Sequence, residues 1–336
     1  MPGSQDHTED RDSGVLVRLA YQGLRELGID ADAVIEPAGI NKDQLYNSQL
    51  RTSHAAQQKF WQAADAVSGD VNIGLHLGEH MPLFKGQILE YLFFSSSCFG
   101  EGLQRMLNYQ RLLSDAVEVQ LANNDSGSYL RFAYPNTSLR HLLECTALVT
   151  INFFRAVSEG SFAPHLVEFQ HSGVADCEEY LRVFGCAVAF EKTENRIHFD
   201  TRVLAHRSLH RQPELLSLHE QIASKQLANL ELQDLIRSVQ GQIAALLETG
   251  EVSVTAVAQR LAMDPRTLRN RLADADTSFS QVLNDYRHHL ATKLLAKTDE
   301  TIAEIVYLTG FSEPSTFYRA FKRWEDTTPI DYRNKH

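Results

Sequence analysis

Two stretches of this chain spell one pattern 48 residues apart: VTAVAQRLAMDPRTLRNRL at 254–272 and IAEIVYLTGFSEPSTFYRAF at 302–321. Val254 matches Ile302, Val257 matches Ile305, Ala258 matches Val306, Ala262 matches Gly310, Met263 matches Phe311 and Asp264 matches Ser312. Repetition at such a spacing marks one supersecondary unit written twice. Each copy reads as a short helix, a tight turn, a capping residue and a second helix. Helices that cross steeply need a small residue in the first helix and a small or glycine residue four later, where the backbones approach. Ala258 with Ala262 meets both demands, and Gly310 meets the second, whereas Val306 is bulkier and predicts a slightly wider second unit. Asp264 and Ser312 are the expected N-caps, and Pro265 suits the first helical position. Leu268 with Leu272, and Phe317 with Phe321, form inward stripes four residues apart.

The opposite faces of the second helices carry the chemistry. In the first unit they expose Arg266, Arg269 and Asn270, with Arg271 to the side; in the second, Ser315, Tyr318 and Arg319, followed by Lys322 and Arg323. Arginine can hold guanine through two hydrogen bonds and asparagine can hold adenine, while Ser, Tyr and Lys suit phosphates. One basic face alone could be a solvated surface; two tandem faces behind matched turns favour duplex DNA as the partner. Between the units, SFSQVLNDYRHHLATKLLA (278–296) keeps Phe279, Val282, Leu283, Tyr286, Leu290 and Leu294 on one helical stripe. Such a rod is roughly 28 Å long, close to the roughly 34 to 36 Å between successive major-groove entries.

The basic faces contrast with the rest of the chain, which has 32 Lys+Arg, 43 Asp+Glu and a formal net charge of -11. Residues 1–230 hold 19 basic and 28 acidic side chains, and residues 231–336 hold 13 and 15. DNA contact must therefore come from a local patch. The 336 residues suggest two domains. Residues 1–14, polar and acidic with no apolar segment, are expected to be a disordered lead-in rather than a secretory signal. No run reaches about 18 apolar residues, which argues against a membrane span and for a cytoplasmic protein. Cys98, Cys145, Cys177 and Cys186 form no CxxC pair and read as reduced structural thiols.

From 15 to 213 helical periods (VLVRLAYQGLREL, with Val15, Leu19, Leu24 and Leu27; HAAQQKFWQAADAV, with Phe60, Ala64 and Val67) give way to alternating runs around NNDSGS, a hairpin signature. The helix LRHLLECTALVTINFFRAV follows, then LVEFQHSG, ADCEEYLRVFG, AVAFE and RIHFDTRVL. This predicts an α+β front domain at 15–213, a helical connector at 214–231 and an all-α back domain at 232–336, whose two helix-turn-helix units are joined by a long linker helix.

On VAQRLAMDPRTLRNRL, YRHHLATKLLA, TIAEIVYLTGFSEPSTFYRAFKRW and TTPIDYR, residues 232–333 resemble the DNA-binding domain of the AraC/XylS family of bacterial transcription regulators. The resemblance implies base contacts at Arg266, Arg269 and Asn270 and at Pro314, Ser315 and Arg319. Pro314 offers no donor, so the second unit is expected to lean on shape and phosphate contact. Asp276 and Asp326 stand where family members commonly carry glycine, and Asp tolerates left-handed backbone better than most residues. KGQILEYLFFSSSCFGEGLQRMLNYQRLL and FGCAVAFEKTENRIHFDTRVL resemble the arabinose-binding-like sensor domain of one branch, which includes regulators of ornithine use and of virulence. That implies a small-molecule effector or a homodimer contact, and activation through RNA polymerase.

Other features point to less. HLGEH (76–80) matches the spelling of one zinc-peptidase class, but Gly74 and Gly78 weaken the helix that would aim the ligands, and a frayed helix end is the expectation. His206, His210, His288 and His289 read as solvated or phosphate-adjacent. Of Phe60, Trp61, Phe93, Phe94, Phe153 and Phe154, most read as core and some as lining for an effector pocket. No nucleophile triad, acid-base dyad, metal site or cofactor motif stands out, so no enzyme is expected. A DNA-repair alkyltransferase would need a reactive or metal-bound cysteine cluster that these spacings do not supply. The remaining alternative is a DNA-binding protein controlled by a protein partner or by dimerisation, without a small ligand.

Overall fold

Arg11–Ser13, inside the stretch expected to be disordered, form strand β1. The computed structural model describes residues 9–83, 87–124, 127–173, 177–247 and 251–336, so positions 1–8 of that lead-in lie outside the described residues. β1 pairs antiparallel with β2 (Arg51–Ser53), because Asp12 is anchored by partners on the far side of the ribbon. Around it run α1 (Gly14–Glu26), α2 (Ala31–Ile35), α3 (Ala56–Ser68), α4 (Ile73–His80), α5 (Ile88–Ser95) and α6 (Phe99–Asn108). In α3 Phe60, Trp61 and Ala64 face inward, but Val67, expected on the same stripe, is 42% exposed near the helix end.

β3 (Glu118–Asn124), β4 (Gly127–Ala133), β5 (Pro164–Glu168), β6 (Ala187–Ala189) and β7 (Asn195–Phe199) form one sheet in the order β3-β4-β7-β5-β6. All neighbours are antiparallel except β5 with β6. The expected hairpin is β3 with β4; residues 125–126 of its turn lie outside the described residues. β4 alternates buried and half-buried positions, as a strand with one covered face does, placing Leu130 and Phe132 against α7 (Arg140–Val157). α8 (Cys177–Phe184) adds Tyr180 and Phe184 to the same core.

α7 is apolar nearly all round, and a helix with that pattern must be covered on both sides. Its Leu143, Ala147, Leu148, Ile151 and Phe154 pack on the sheet side, while Leu142, Cys145 and Val149 join Leu24, Val34, Phe60 and Trp61 among the first helices. Each such side chain stabilises by about 1.5 to 3 kcal/mol when fully buried. Gly74 and Gly78 do not fray α4; they let it lie directly on α7. A Cβ on Gly74 would stand 2.6 Å from His141 Cα, and one on Gly78 would stand 3.2 Å from Cys145 Cα.

The chain divides into two compact units, up to Leu227 and from Ala228. α9 (Pro213–Leu247) starts where the front domain was expected to end and runs as one helix past the expected connector at 214–231. Its Ala223 packs with Leu89 and Leu92 in the first unit, and Leu235, Val239 and Ile243 belong to a core of the second. The second unit continues with α10 (Val254–Arg260), α11 (Pro265–Asp274), α12 (Phe279–Lys297), α13 (Ile302–Leu308), α14 (Pro314–Glu325) and α15 (Pro329–Lys335), all helical. α12 gives Val282 to a core shared with Val257, Ala258, Leu268 and Leu272, and Ala291 and Leu295 to another shared with Ile305, Val306, Phe317 and Phe321. One helix therefore belongs to both helix-turn-helix cores.

Two helical glycines should respond in opposite directions to alanine. Gly74→Ala should destabilise by about 1 to 3 kcal/mol, because the new methyl group meets backbone. Gly241→Ala in α9, with nothing within 4 Å of its Cβ position, should stabilise by about 0.5 to 1 kcal/mol. Urea unfolding of the two variants beside the parent chain checks both signs.

Candidate functional site

Each repeat folds as a helix, an elbow and a second helix, and the two elbows share their hydrogen bonds. Met263 N–H donates to the Ala258 carbonyl at 2.9 Å, and Phe311 N–H donates to the Val306 carbonyl at 3.1 Å. That closure needs a left-handed residue just before the donor, and Ala262 (φ 51°) and Gly310 (φ 69°) supply it. The turns after α11 and α14 also pass through left-handed residues, Asp276 (φ 52°) and Asp326 (φ 53°).

The start of the second helix differs between the units. Asp264 caps α11 by accepting from Arg266 N–H at 2.8 Å and Thr267 N–H at 3.3 Å. In the second unit the cap position is Glu313, not Ser312, and its side chain caps nothing. The reason is Pro314: a residue before proline is pushed out of the helical region, so the helix begins at the proline in both units. The second elbow is therefore one residue longer than the matched repeat implied.

Arg287 of α12 braces that elbow. Its guanidinium donates to the Gly310 carbonyl at 2.6 Å and lies 4.7 Å from the centre of the Phe311 ring. Partial burial lowers its pKa. Nothing in the sequence periodicity singled Arg287 out.

On α11, Arg266, Arg269 and Asn270 are exposed and Arg271 is half-buried. Among the described residues, no hydrogen bond or ion pair ties the side chains of Arg266, Arg269 or Arg271 to the protein. On α14, Pro314, Ser315, Arg319, Lys322 and Arg323 are exposed, but the face is less free. Ser315 Oγ donates to the Glu313 carboxylate at 3.3 Å, Arg319 Nε donates to the Ser315 carbonyl at 3.3 Å, and Arg323 reaches Asn284 Oδ1 at 3.3 Å. Tyr318 is half-buried edge-on against Phe317. Three cationic groups without intramolecular partners on one short helix, two of them exposed and one half-buried, suit anions and base edges.

The histidines are engaged more than their spacing suggested. His288 stacks on Trp324 at 5.1 Å and bonds the Glu325 carboxylate at 2.6 Å, and His210 sits edge-on to Phe94 at 5.3 Å. His76 is held by Asp70 at 2.5 Å and Glu179 at 2.8 Å; burial works against its charge, and the two carboxylates outweigh it and raise its pKa. Glu79 pairs with Arg182. Among the described residues no group of three or more His, Cys, Asp or Glu could hold a metal ion. Burial, with Glu144 alongside, pushes the Cys145 thiol up to about 12, and burial raises Cys186; Cys177 lies outside the described side chains.

The first unit holds a partly open cavity of about 200 Å³ lined by residues of the sheet, α7 and the first helices. Phe60, Trp61, Phe153 and Phe154 line it, as the sequence allowed for some of these aromatics, while Phe93 is core. At its wall the Asp12 carboxylate, 1% exposed, accepts from His54 Nδ1 at 2.9 Å, Gln57 Nε2 at 2.8 Å and Ser114 Oγ at 2.7 Å. Burial alone would raise the Asp12 pKa; these donors and the nearby imidazole lower it. No periodicity could have joined residues 42 and 102 positions apart.

Residues 28–208 match the family described as the arabinose-binding domain of AraC transcription regulator, N-terminal, and residues 257–335 match a helix-turn-helix domain. The chain is 28% identical over 328 residues to the ornithine utilization regulator of Pseudomonas aeruginosa, covering 95% of this chain and 96% of that protein. It is 27% identical to the transcriptional regulator VirS of Mycobacterium tuberculosis, covering 92% of each. The crystal structure of the transcriptional regulator CdpR from Pseudomonas aeruginosa aligns over 95% of this chain and 98% of that one, at 22% identity and a TM-score of 0.49.

Gly310 tests the elbow geometry. A Cβ there would lie 2.3 Å from Leu247 Cδ2 in addition to the left-handed strain, so Gly310→Ala should destabilise the second unit by about 1 to 3 kcal/mol. Asp326→Gly, at a left-handed site with a side chain already present, should leave stability the same or higher. Thermal melts of the full chain separate the two.

Proposed function

The chain belongs to the AraC family of transcription regulators, and from that premise we propose that it reads promoter DNA through α11 and α14 under the control of a small effector. The observation that carries the reading is the pair of helix-turn-helix units whose second helices turn exposed, basic side chains outward. In this reading Arg266, Arg269 and Asn270 contact base edges, with Arg271 alongside. Pro314, Ser315 and Arg319 form the corresponding face of α14, and Tyr318, Lys322 and Arg323 meet phosphates. The Asn284 and Ser315 contacts on α14 support giving α11 the larger share of base readout. α12, rooted in both helix-turn-helix cores, supports the placement of the two reading helices on neighbouring groove segments.

The front unit is proposed as the sensor, with the effector in the cavity beside Trp61. One relative is an ornithine utilization regulator, which makes ornithine a compound to try. Activation through contact with RNA polymerase, pairing into a homodimer and a cytoplasmic location belong to the same reading. Among the described residues no helix is long and apolar enough to cross a membrane. No catalytic residue and no metal or cofactor are part of it, and the raised thiols of Cys145 and Cys186 speak against alkyl transfer.

Footprinting on the selected promoter sequence tests the assignment. Arg269→Ala should lose about 1 to 3 kcal/mol at the cognate site and relax preference at one base pair, whereas Lys322→Ala should weaken all sequences alike. Parent-like footprints for both variants would remove these faces from the interface. Salt titration gives an independent reading: log affinity should fall shallowly with log salt on random DNA and more steeply at the target.

A further inference from the structure

We propose that the front-unit cavity takes a largely apolar molecule, about the size of a benzene ring with a short substituent or of a six- to eight-carbon chain, whose single oxygen head group is held by His54 Nε2. The inference deepens the effector reading above and rests on it. The volume is the first ground: a dry cavity of about 150 Å³ accepts one benzene molecule, and this one measures about 200 Å³.

The second ground is the state of the polar wall. His54 is 8% exposed, its Nδ1 faces the Asp12 carboxylate, and its Nε2 is buried without a hydrogen-bond partner. Among the described residues it is the one buried side-chain polar atom of the cavity lining in that condition. Gln57, Gln110 and Thr150 of the lining are already matched. Gln57 donates to Asp12 and accepts from Trp61 Nε1 at 3.2 Å; Gln110 exchanges two bonds with the Val119 backbone; Thr150 Oγ1 donates to the Thr146 carbonyl. A sugar would bring several hydroxyls to a mostly apolar wall with one buried open position, and each buried hydroxyl left unmatched costs about 1 to 3 kcal/mol, which disfavours that class.

The third ground is the tautomer. An ionised carboxylate only accepts, so Asp12 fixes the proton on Nδ1 and leaves Nε2 to the ligand. A neutral imidazole accepts there from a hydroxyl; a protonated one donates to a carboxylate. Both heads use the same atom, and octanol and octanoate tell them apart.

The test uses the full chain with Trp324→Phe, which leaves Trp61, in the cavity wall, as the sole tryptophan. Octanoate or 1-octanol should change its fluorescence saturably. His54→Ala should weaken that binding at least about tenfold, the loss of one hydrogen bond to a buried group, and His54→Gln should restore part of it. Val149→Phe, which fills the cavity from α7, should abolish it. Should both His54 variants fail to fold, ¹⁵N-histidine spectra of the unmutated histidine set decide, with one ring-nitrogen resonance required to move on adding octanoate.

Saturable binding of L-arabinose or L-ornithine in preference to both octyl probes would overturn the ligand class, as would no response to either octyl probe or an unchanged affinity in His54→Ala. Promoter binding measured in parallel keeps the two readings apart. Octyl binding that depends on His54 but leaves DNA affinity unchanged would end the effector reading alone. A polar metabolite that shifts DNA affinity while the octyl probes do not bind would end only the ligand class.

Discussion

A helix can offer one face to DNA only while its angle to the preceding helix is fixed, and here a single left-handed residue fixes it in each unit. Ala262 and Gly310 turn the chain so that the next amide closes back onto the preceding helix. For an L-residue this backbone costs roughly 1 kcal/mol or more. Ala262 is exposed, so that strain is its main penalty, whereas Leu247 occupies the space a methyl group would need at Gly310. The two elbows are thus alike in hydrogen bonding and unlike in tolerance. The second is also the one braced by Arg287, whose bond to the Gly310 carbonyl links α12 to the turn.

Holding the angle fixes where charge can appear. The front unit is strongly acidic and the back half is slightly so, and exposed charges more than about 8 to 10 Å apart are screened at physiological salt. The field a duplex meets at contact is therefore that of the nearest side chains, not of the net charge. Arg266 and Arg269 project from α11 without intramolecular carboxylate partners, while the nearest acid at its start, Asp264, has its oxygen engaged with backbone amides. Such an arrangement attracts an anion only at short range, which favours fitted contact over loose association.

Much of this was legible because the contacts that build a helix-turn-helix are local in sequence. Ala258, Ala262, Leu268 and Leu272 fall within fifteen residues of one another, so spacing alone carries the fold, and the family resemblance, which puts glycine at the positions of Asp276 and Asp326, implied their left-handed backbone. What escaped depends on contacts made across the chain or on a one-residue shift. Matching Asp264 to Ser312 overlooked that Pro314, not the alignment, starts the helix. Gly74 and Gly78 looked like helix breakers because their partner α7 lies more than sixty residues away. The Asp12, His54, Gln57 and Ser114 cluster joins a strand, the turn before α3, the first turn of α3 and a loop, and its members are ordinary polar residues in every local window. The lead-in illustrates the same limit: Arg11–Ser13 are polar and acidic in composition, yet they become a strand because Asp12 has buried partners waiting.

The two candidate sites follow opposite rules from one principle, that a polar group without a protein partner is available to something else. On α11 the open groups are exposed cations, which water satisfies at little cost, so many proteins carry such groups and only the repeated scaffold beneath them makes these informative. In the cavity the open group is one buried nitrogen, whose lack of a partner costs about 1 to 3 kcal/mol. Among the described residues it is the one such atom that lines the cavity, and its place there is what makes a single atom informative. The same cost sets its selectivity. A molecule that brings one head group removes the penalty, while a molecule with several must leave the rest unmatched, so the apolar wall chooses its ligand by what it declines to bond.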